Sequence, residues 1–407
     1  TWGDWDVWLI RLDASGTLLW ERAYGGSGSD SGMSIVETAD GGFTLLGTTW
    51  SSDGQITSSQ GGQDLWLVHV DSNGVLEWQR TYGGTSTDYG RSVAIAVGGG
   101  YYIAGMTYST DGDVSGNHGG QDIWLARVNE VGEIQWSRAY GSTGEEEARE
   151  VIALADGGAV FAGKTSANNG DVVGAHGVDD GWVVRVDATG AIVWQRPLGG
   201  TYSEIIEAIS IGLNGEILCA GNAGSHNGDV VGHHGNGIEL DAWAVALDPS
   251  TGVLLWQRCL GGSDNDYGAD IDVRSDGAFV VLGTLDSEDG DVTCGHGAFD
   301  FWLVGLSPFT GLSDVAVSSS EQRLTAWPVP ATERIQLRVQ GRSGAQQVLD
   351  ICDALGHTVH STVLSPAMNG VVEWDLRDLG GDPVPAGVFY ARLQGQVRGS
   401  VRLVVVR

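Results

Sequence analysis

Residues 64–82 of the 407-residue chain read DLWLVHVDSNGVLEWQRTY. Two β-rich runs flank the turn sequence Asp71-Ser72-Asn73-Gly74, whose residue types favour a tight reversal of the chain. The Asp-x-Trp that opens this stretch recurs every 58 to 61 residues. The recurring tryptophans are Trp8, Trp66, Trp124, Trp182, Trp243 and Trp302. Such a spacing indicates a tandem structural repeat.

One full repeat contains four predicted strands, at residues 34–39, 43–49, 65–70 and 75–82. Four antiparallel strands in a unit of 58 residues are typical of a β-propeller blade. We therefore predict an all-β chain in which residues 1–320 form a β-propeller of four-stranded blades. It would have five full units and a partial one, whose first hairpin is expected upstream of Thr1.

A second tryptophan lies in a Trp-x-Arg unit near the end of each repeat, as at Trp78 and Arg80. We interpret both tryptophans as packing between blades, since each can bury a large apolar surface. The turn from Asp248 to Trp256 resembles the tryptophan-docking repeat of pyrroloquinoline-quinone propellers. The whole repeat is similar to the secreted propeller repeats of Bacteroidetes-type bacteria.

Residues 321–407 lack the repeat and form a second predicted domain. They carry nine Arg and eight acidic residues, whereas the rest of the chain holds 12 basic and 44 acidic groups. Short β-like runs separated by turn residues recur through this tail. They predict a small immunoglobulin-like β-sandwich.

The tail resembles the type A C-terminal sorting domain of type IX secretion substrates, through WPVPA at 327–331, DALGHTV at 353–359 and PAGVFYARL at 385–393. The resemblance implies export across the outer membrane and an extracellular or outer-membrane surface location. The implied partners are the type IX secretion translocon and a sortase-like machinery. The matching signal residues are Pro328, Pro330, Ala331, Gly356, Gly387, Tyr390, Arg402 and Arg407.

The formal net charge of the chain is −31. A strongly acidic protein binds nucleic acid poorly, because phosphate recognition needs clustered Lys and Arg. The sequence also contains no apolar run of the length that a transmembrane helix requires. These two properties exclude nucleic acid as a partner and a helical membrane span.

Long loops carry a repeated Asp-Gly-Asp-Val-x-Gly-x-His-Gly pattern or a close variant. The first interpretation is an ion site: structural Ca²⁺ on clustered carboxylates, or a transition metal on His with Asp. The second is a loop staple, in which each His donates to a nearby carboxylate, such as the Asp of Asp-x-Trp. The candidate residues are Asp111, Asp113, His118, Asp171, His176, Asp229, His234, Asp289, Asp291 and His296.

A second acidic series lies just before the first strand of each unit. Its members could form an acidic ring at the mouth of a central channel and attract cations or a basic partner. Alternatively, each carboxylate caps local backbone N–H groups or pairs with a neighbouring arginine. The residues are Asp30, Asp88, Glu146, Glu204 and Asp266.

No arrangement of a nucleophile and a base stands out in the sequence. The stretch 158–165 matches a P-loop pattern but aligns with a strand of the other repeats, so we reject it. We predict a secreted or cell-surface module that binds an unknown surface glycan or protein. The alternatives are an exported propeller enzyme, hydrolase or quinoprotein-like, and a purely structural component of a surface assembly. A unique site would be expected in the least regular loop, 222–241.

Overall fold

The computed structural model describes the chain except for residues 1–2, 236, 238, 293–296, 298, 307–322, 328–330, 332–333, 341–346, 354–357, 365–370, 379, 394–400 and 406–407. The chain divides into two compact units, Thr1–Ser307 and Pro308–Arg407. The predicted boundary at residue 320 lies outside the described residues.

The first unit is a series of antiparallel sheets in which each strand pairs with the next along the chain. A two-stranded sheet contains β1 (Val7–Leu12) and β2 (Leu18–Tyr24). Two four-stranded sheets follow: β3 (Asp30–Glu37), β4 (Phe43–Thr49), β5 (Asp64–Val70) and β6 (Leu76–Tyr82), then β7 (Asp88–Ile95), β8 (Tyr101–Thr107), β9 (Asp122–Val128) and β10 (Ile134–Tyr140). The predicted four-stranded repeat is therefore present in the structure.

Two further four-stranded sheets and a three-stranded one complete the described part of this unit. They are β11 (Glu146–Ala153), β12 (Ala159–Thr165), β13 (Asp180–Val186) and β14 (Ile192–Leu198), then β15 (Glu204–Ile211), β16 (Ile217–Ala223), β17 (Asp241–Leu247) and β18 (Leu254–Leu260), and finally β19 (Asp266–Val273), β20 (Phe279–Leu285) and β21 (Asp300–Leu306). The fourth strand predicted for the last unit falls outside the described residues.

Burial follows the position of a strand within its sheet. In the four-stranded sheets the second and third strands, such as β8 and β5, are almost entirely buried, whereas the fourth strand β6 is only partly buried. Strands covered on both faces need near-continuous apolar sequence, and the second and third strands have it. In the last sheet the third strand, β21, is mostly half-buried or exposed. Successive sheets contact each other in chain order, as β4 does β7 and β8 does β11. This order is that of propeller-like repeats, and closure into a ring stays a prediction.

Side chains of the fourth strands fasten one sheet to the next, and in β2 a Trp and a Tyr both take part. The Trp20 indole donates to the carbonyl of Ser72 at 3.0 Å, and the Tyr24 hydroxyl donates to the carbonyl of Gly74 at 2.7 Å. Both acceptors lie in the turn between β5 and β6. We call this pair of contacts the interblade latch.

Both contacts of the interblade latch recur at β10, whereas β6 makes only the Tyr82 contact and β14 only the Trp194 contact. Trp136 and Tyr140 bind the carbonyls of Ala188 and Gly190 in the same way. Gly190 has a φ of +77°, and a Cβ atom at this position would lie 2.8 Å from the Trp136 ring. Glycine is needed here both for the backbone conformation and for the close approach of the indole.

The Asp-x-Trp tryptophans of the four-stranded sheets are buried, and three of these four donate to a glutamine, whereas Trp8 is 67% exposed. The indole of Trp66 donates to Gln79 at 3.0 Å, and that of Trp182 donates to Gln195 at 2.8 Å. Trp243 and Gln257 repeat the pair at 2.7 Å. In the β7–β10 sheet the glutamine position holds a serine, and the indole nitrogen of Trp124 has no hydrogen-bond partner.

The second unit contains two antiparallel sheets that share one apolar core. Trp374, Ile351 and Phe389 are among the buried core residues contributed by the two sheets. Every regular element of the described residues is a strand, and no helix there could cross a membrane. The strands of this unit are β22 (Arg323–Trp327), β23 (Ile335–Gln340), β24 (Gln347–Asp353), β25 (Thr358–Leu364), β26 (Val371–Trp374), β27 (Gly387–Leu393) and β28 (Val401–Val405).

A glutamine in place of the serine next to Trp124 should stabilise the first unit. We expect Ser137→Gln to raise the free energy of unfolding by about 1 kcal/mol, because it gives a buried indole N–H its acceptor. The reverse change, Gln195→Ser, should lower it by a similar amount. Denaturant unfolding of both variants tests the pairing, and equal stability of Ser137→Gln and the parent would contradict it.

Candidate functional site

The long loops and the connections between sheets lie at the same end of the blades, which we call the long-loop face. In the β7–β10 blade the amide of Asp113 donates to the carbonyl of Gly83 at 2.8 Å. The amide of Thr85 donates to the carboxylate of Asp111 at 2.8 Å. The two aspartates of the Asp-Gly-Asp pattern thus tie the loop to the connection that enters the same blade.

The repeated histidines act as staples. The backbone amide and Nδ1 of His118 both lie 2.8 Å from one carboxylate oxygen of Asp122, the Asp of Asp-x-Trp. His176 with Asp180, and His234 with Asp241, repeat the contact with Nδ1 distances of 3.2 and 2.8 Å. The staple interpretation is confirmed for these three loops, and His296 lies outside the described residues.

The outer nitrogen of the staple residue faces the next blade. Nε2 of His118 lies 3.6 Å from the carboxylate of Asp171, and Nε2 of His234 lies 3.7 Å from that of Asp291. In the first loop the amide of Gln60 donates to Asp113 at 2.5 Å. His118, Arg138 and Asp171 line an open cleft of about 510 Å³ between two blades.

These contacts weaken the case for calcium in the loops. The carboxylates of Asp111 and Asp113 already accept protein donors, and Asp229 accepts Arg196 at 2.9 Å. Asp289 accepts the amide of Ser263 at 2.7 Å. Among the described residues, three metal-ligating side chains converge at the opposite end of the β3–β6 blade: Asp40, His69 and Glu77.

The acidic series occupies the first position of the first strand in each sheet, and all five residues are buried, so they do not present an exposed acidic ring. Asp88 accepts the amide of Gly84 and the hydroxyl of Ser109, each at 2.8 Å, and the hydroxyl of Thr107 as well. The alternative of local capping holds for all five residues. Their exposed fractions are 2% for Asp30, 0% for Asp88, 0% for Glu146, 1% for Glu204 and 0% for Asp266.

A second buried carboxylate accompanies each capping acid. Burial raises the pKa of Asp64, and the charge of neighbouring Asp88 adds to the effect. A Cβ atom on Gly83 would lie 2.5 Å from Asp64 Oδ1 and 2.6 Å from Asp88 Oδ2. The glycine that opens the Gly-Gly connection is therefore required because two carboxylates crowd against the backbone there.

Glu150 on β11 stands where the first strands of the two preceding blades carry a serine. Ser34 and Ser92 accept the amides of Val93 and Val151 in the next blade, each at 3.2 Å. Glu150 takes this place on β11 and accepts the amide of Ile209 at 2.7 Å. Burial raises the pKa of this carboxyl from 4.5 to about 7.

The least regular loop is held together by backbone acceptors. The rings of His226 and His233 meet edge to face, with centroids 4.3 Å apart. Nε2 of His226 donates to the carbonyl of Gly237 at 3.1 Å, and Nε2 of His233 donates to that of Glu239 at 2.9 Å. A unique site in this loop stays a prediction.

Exposed aromatic side chains distinguish the long-loop face. Trp50 and Tyr108 follow the second strands of adjacent blades and are 58% and 42% exposed. Tyr202 lies in a connection at the same end and is 44% exposed. Charge patterns in the sequence do not indicate these residues, although Trp50 and Tyr108 directly follow a predicted strand of the repeat.

The described part of the tail places four of the eight predicted signal residues. Ala331 is buried and bridges Val405, Gly387 begins β27, and Tyr390 is partly exposed on that strand. Arg402 lies on β28. Pro328, Pro330, Gly356 and Arg407 are outside the described residues.

No family model matches the chain. It is 26% identical over 269 residues to the regulatory protein FlaEY of Caulobacter vibrioides, which covers 62% of this chain and 27% of FlaEY. PorZ, a surface component of the type IX secretion system of Porphyromonas gingivalis, is 14% identical with a TM-score of 0.38, covering 100% of this chain and 57% of PorZ.

An extracellular domain of a hybrid two-component system from B. thetaiotaomicron is 10% identical with a TM-score of 0.35, covering 98% of this chain and 46% of that one. The chain thus spans about a quarter of the length of FlaEY. At these levels of identity and structural overlap, the comparisons do not assign the chain to a family.

Replacing a capping acid should be costly. We expect Asp88→Asn to lower the free energy of unfolding by about 3 kcal/mol. One oxygen acceptor is replaced by an NH₂ group, which would face the N–H and O–H groups that now donate to the carboxylate. Asp111→Asn is the matched control, since Asn169 and Asn227 occupy that loop position in two other blades. Thermal unfolding compares the two, and equal losses would contradict the capping role.

The raised pKa of Glu150 predicts a pH dependence of stability. Between pH 4.5 and about 7 the folded state binds more protons than the unfolded state, so stability falls as the pH rises. The total fall is about 3 kcal/mol. Glu150→Gln keeps an acceptor for Ile209 and should remove this slope in unfolding curves measured across that range. A slope that survives the substitution would assign it to other groups.

Proposed function

We propose that the protein is a secreted or surface-displayed binding module without enzymatic activity, whose partner docks on the long-loop face. The observation that carries the proposal is the exposure of Trp50, Tyr108 and Tyr202 on loops that are otherwise tied down. Aromatic side chains provide large contact areas and lose little conformational freedom when they bind.

The acids of this face support binding rather than catalysis. The capping carboxylates are buried, and Asp122, Asp180 and Asp241 are engaged by the staple histidines. Groups held in this way shape the loops and are not free to transfer protons to a substrate. Aromatic rings on a rigid surface suit the apolar faces of sugar rings or an exposed protein segment, so the partner is a surface glycan or protein.

The export part of the proposal rests on the tail. Its resemblance to a type A sorting domain assigns delivery to type IX secretion, with the translocon and a sortase-like machinery as partners of residues 321–407. The two-sheet packing of this unit supports a folded sorting domain, since its core residues are buried in one cluster.

The binding proposal is tested on the long-loop face. A triple variant, Trp50→Ser, Tyr108→Ser and Tyr202→Ser, uses serines that sibling repeats carry at these positions, at Ser166 and Ser86. We expect at least tenfold weaker binding to surface polysaccharide or surface protein fractions.

The control removes exposed apolar side chains from the opposite end of the blades, at Val75, Val131 and Val253, which are 54%, 49% and 57% exposed. It should bind like the parent. Unchanged binding by the aromatic variant would refute docking on the long-loop face. Export is tested separately, by expressing the full chain in a type IX-competent bacterium and its translocon-deficient derivative. Secretion by both strains would refute the export route.

A further inference from the structure

A histidine and two carboxylates converge at the end of the β3–β6 blade opposite the long-loop face. Nε2 of His69 lies 3.4 Å from Glu77 Oε2 and 3.7 Å from Asp40 Oδ2. The three ligand atoms all lie within 4.8 Å of one another. His69 comes from the end of β5, Glu77 from the start of β6, and Asp40 from the turn between β3 and β4.

The imidazole is held in place before any ligand arrives. His69 is 5% exposed, its Nδ1 lies 2.9 Å from the hydroxyl of buried Thr44, and its ring stacks on Trp78 at 5.3 Å. A hydrogen bond to Nδ1 directs the other ring nitrogen toward a ligand, as in many metal sites. Nε2 is therefore presented to the two carboxylates in a fixed orientation.

The aspartate is also oriented by its turn. Oδ1 of Asp40 accepts the hydroxyl of Thr38 at 2.5 Å and the amide of Gly42 at 3.0 Å. This leaves Oδ2 facing His69. The side chains of Asp40 and Glu77 are 63% and 52% exposed, so solvent and ions reach the cluster.

The separations suit a shared metal ion better than a shared proton. A direct hydrogen bond between a ring nitrogen and a carboxylate spans about 2.7–2.9 Å, which is shorter than both distances here. Ligands about 2.1 Å from a tetrahedral Zn²⁺ lie about 3.4 Å from one another. Small rotations of the two exposed carboxylates would complete that geometry.

This cluster breaks the repeat. Arg127 and Arg185 occupy the position of His69 in the next two blades, and Arg185 pairs with Asp156, the counterpart of Asp40, at 2.5 Å. In those blades the arginine side chain supplies a permanent positive charge at this position. In the β3–β6 blade a histidine replaces the arginine and Glu77 adds a second acid, so the site has two carboxyl groups and an imidazole in place of the guanidinium.

We propose that Asp40, His69 and Glu77 bind a divalent transition-metal ion, with Zn²⁺ as the best match. Imidazole with carboxylates is a ligand set that zinc accepts, and three protein ligands leave one position for water or a partner's side chain. The site is independent of the binding role assigned to the long-loop face, because it lies at the other end of the blade.

The test uses the full, untagged chain and titrates Zn²⁺ by calorimetry. We expect one site with a micromolar dissociation constant. Ni²⁺ or Cu²⁺ should quench part of the tryptophan fluorescence, because Trp78 stacks on the ligand ring. His69→Arg introduces the residue of the sibling blades, and Glu77→Gln that of Gln135. Each should weaken binding at least 30-fold.

The matched control is His118→Gln, which removes another histidine by using the residue found at Gln60. It should bind Zn²⁺ like the parent. A parent chain that shows no saturable binding would overturn the proposal. So would binding that survives both His69→Arg and Glu77→Gln in folded protein, as judged by circular dichroism.

Discussion

The interblade latch couples the sheets of the first unit, because side chains of β2, β6, β10 and β14 donate to backbone carbonyls of the sheet that follows. Trp20 and Tyr24 donate to a turn about fifty residues away rather than to their own blade. Each hydrogen bond contributes about 1 kcal/mol, and burial of the indole adds more. The acceptor carbonyls lie in the turn between the third and fourth strands of the next sheet, so the latch couples consecutive repeats.

Buried carboxylates impose the second constraint. Asp88 and its equivalents collect donors from the incoming connection and from the end of the second strand, which fixes the long loops at both ends. A charged acceptor makes stronger hydrogen bonds than a neutral one, but only where every donor reaches it. Much of the acidity of the chain is therefore structural, and the aromatic side chains are the exposed feature of a rigid surface.

The repeat made the strands predictable, while the environment of individual side chains was less so. Phe43–Thr49 was predicted to the residue, since the Gly41-Gly42 turn marks its start and a Gly- and Ser-rich loop follows its end. The sequence did not show that Asp30, at the start of β3, is buried. The connection between two sheets can pass above or below the sheet edge, and only one of these paths covers the carboxylate. The staple interpretation named the Asp of Asp-x-Trp as the partner of each histidine, and the contact forms whether that Asp lies four residues after the histidine, as for His118, or seven, as for His234.

His69 was missed because it was treated as one residue of an apolar strand. The signal was present in the repeats themselves: where sibling blades carry arginine, this blade carries histidine beside an additional acid. Ser137 and Glu150 are departures of the same kind, the first leaving Trp124 without its acceptor and the second placing a titratable group in a buried hydrogen bond. In a tandem array the sibling units act as controls for one another. A position that differs from its siblings and also gathers ligands is therefore more informative about function than one that every blade repeats.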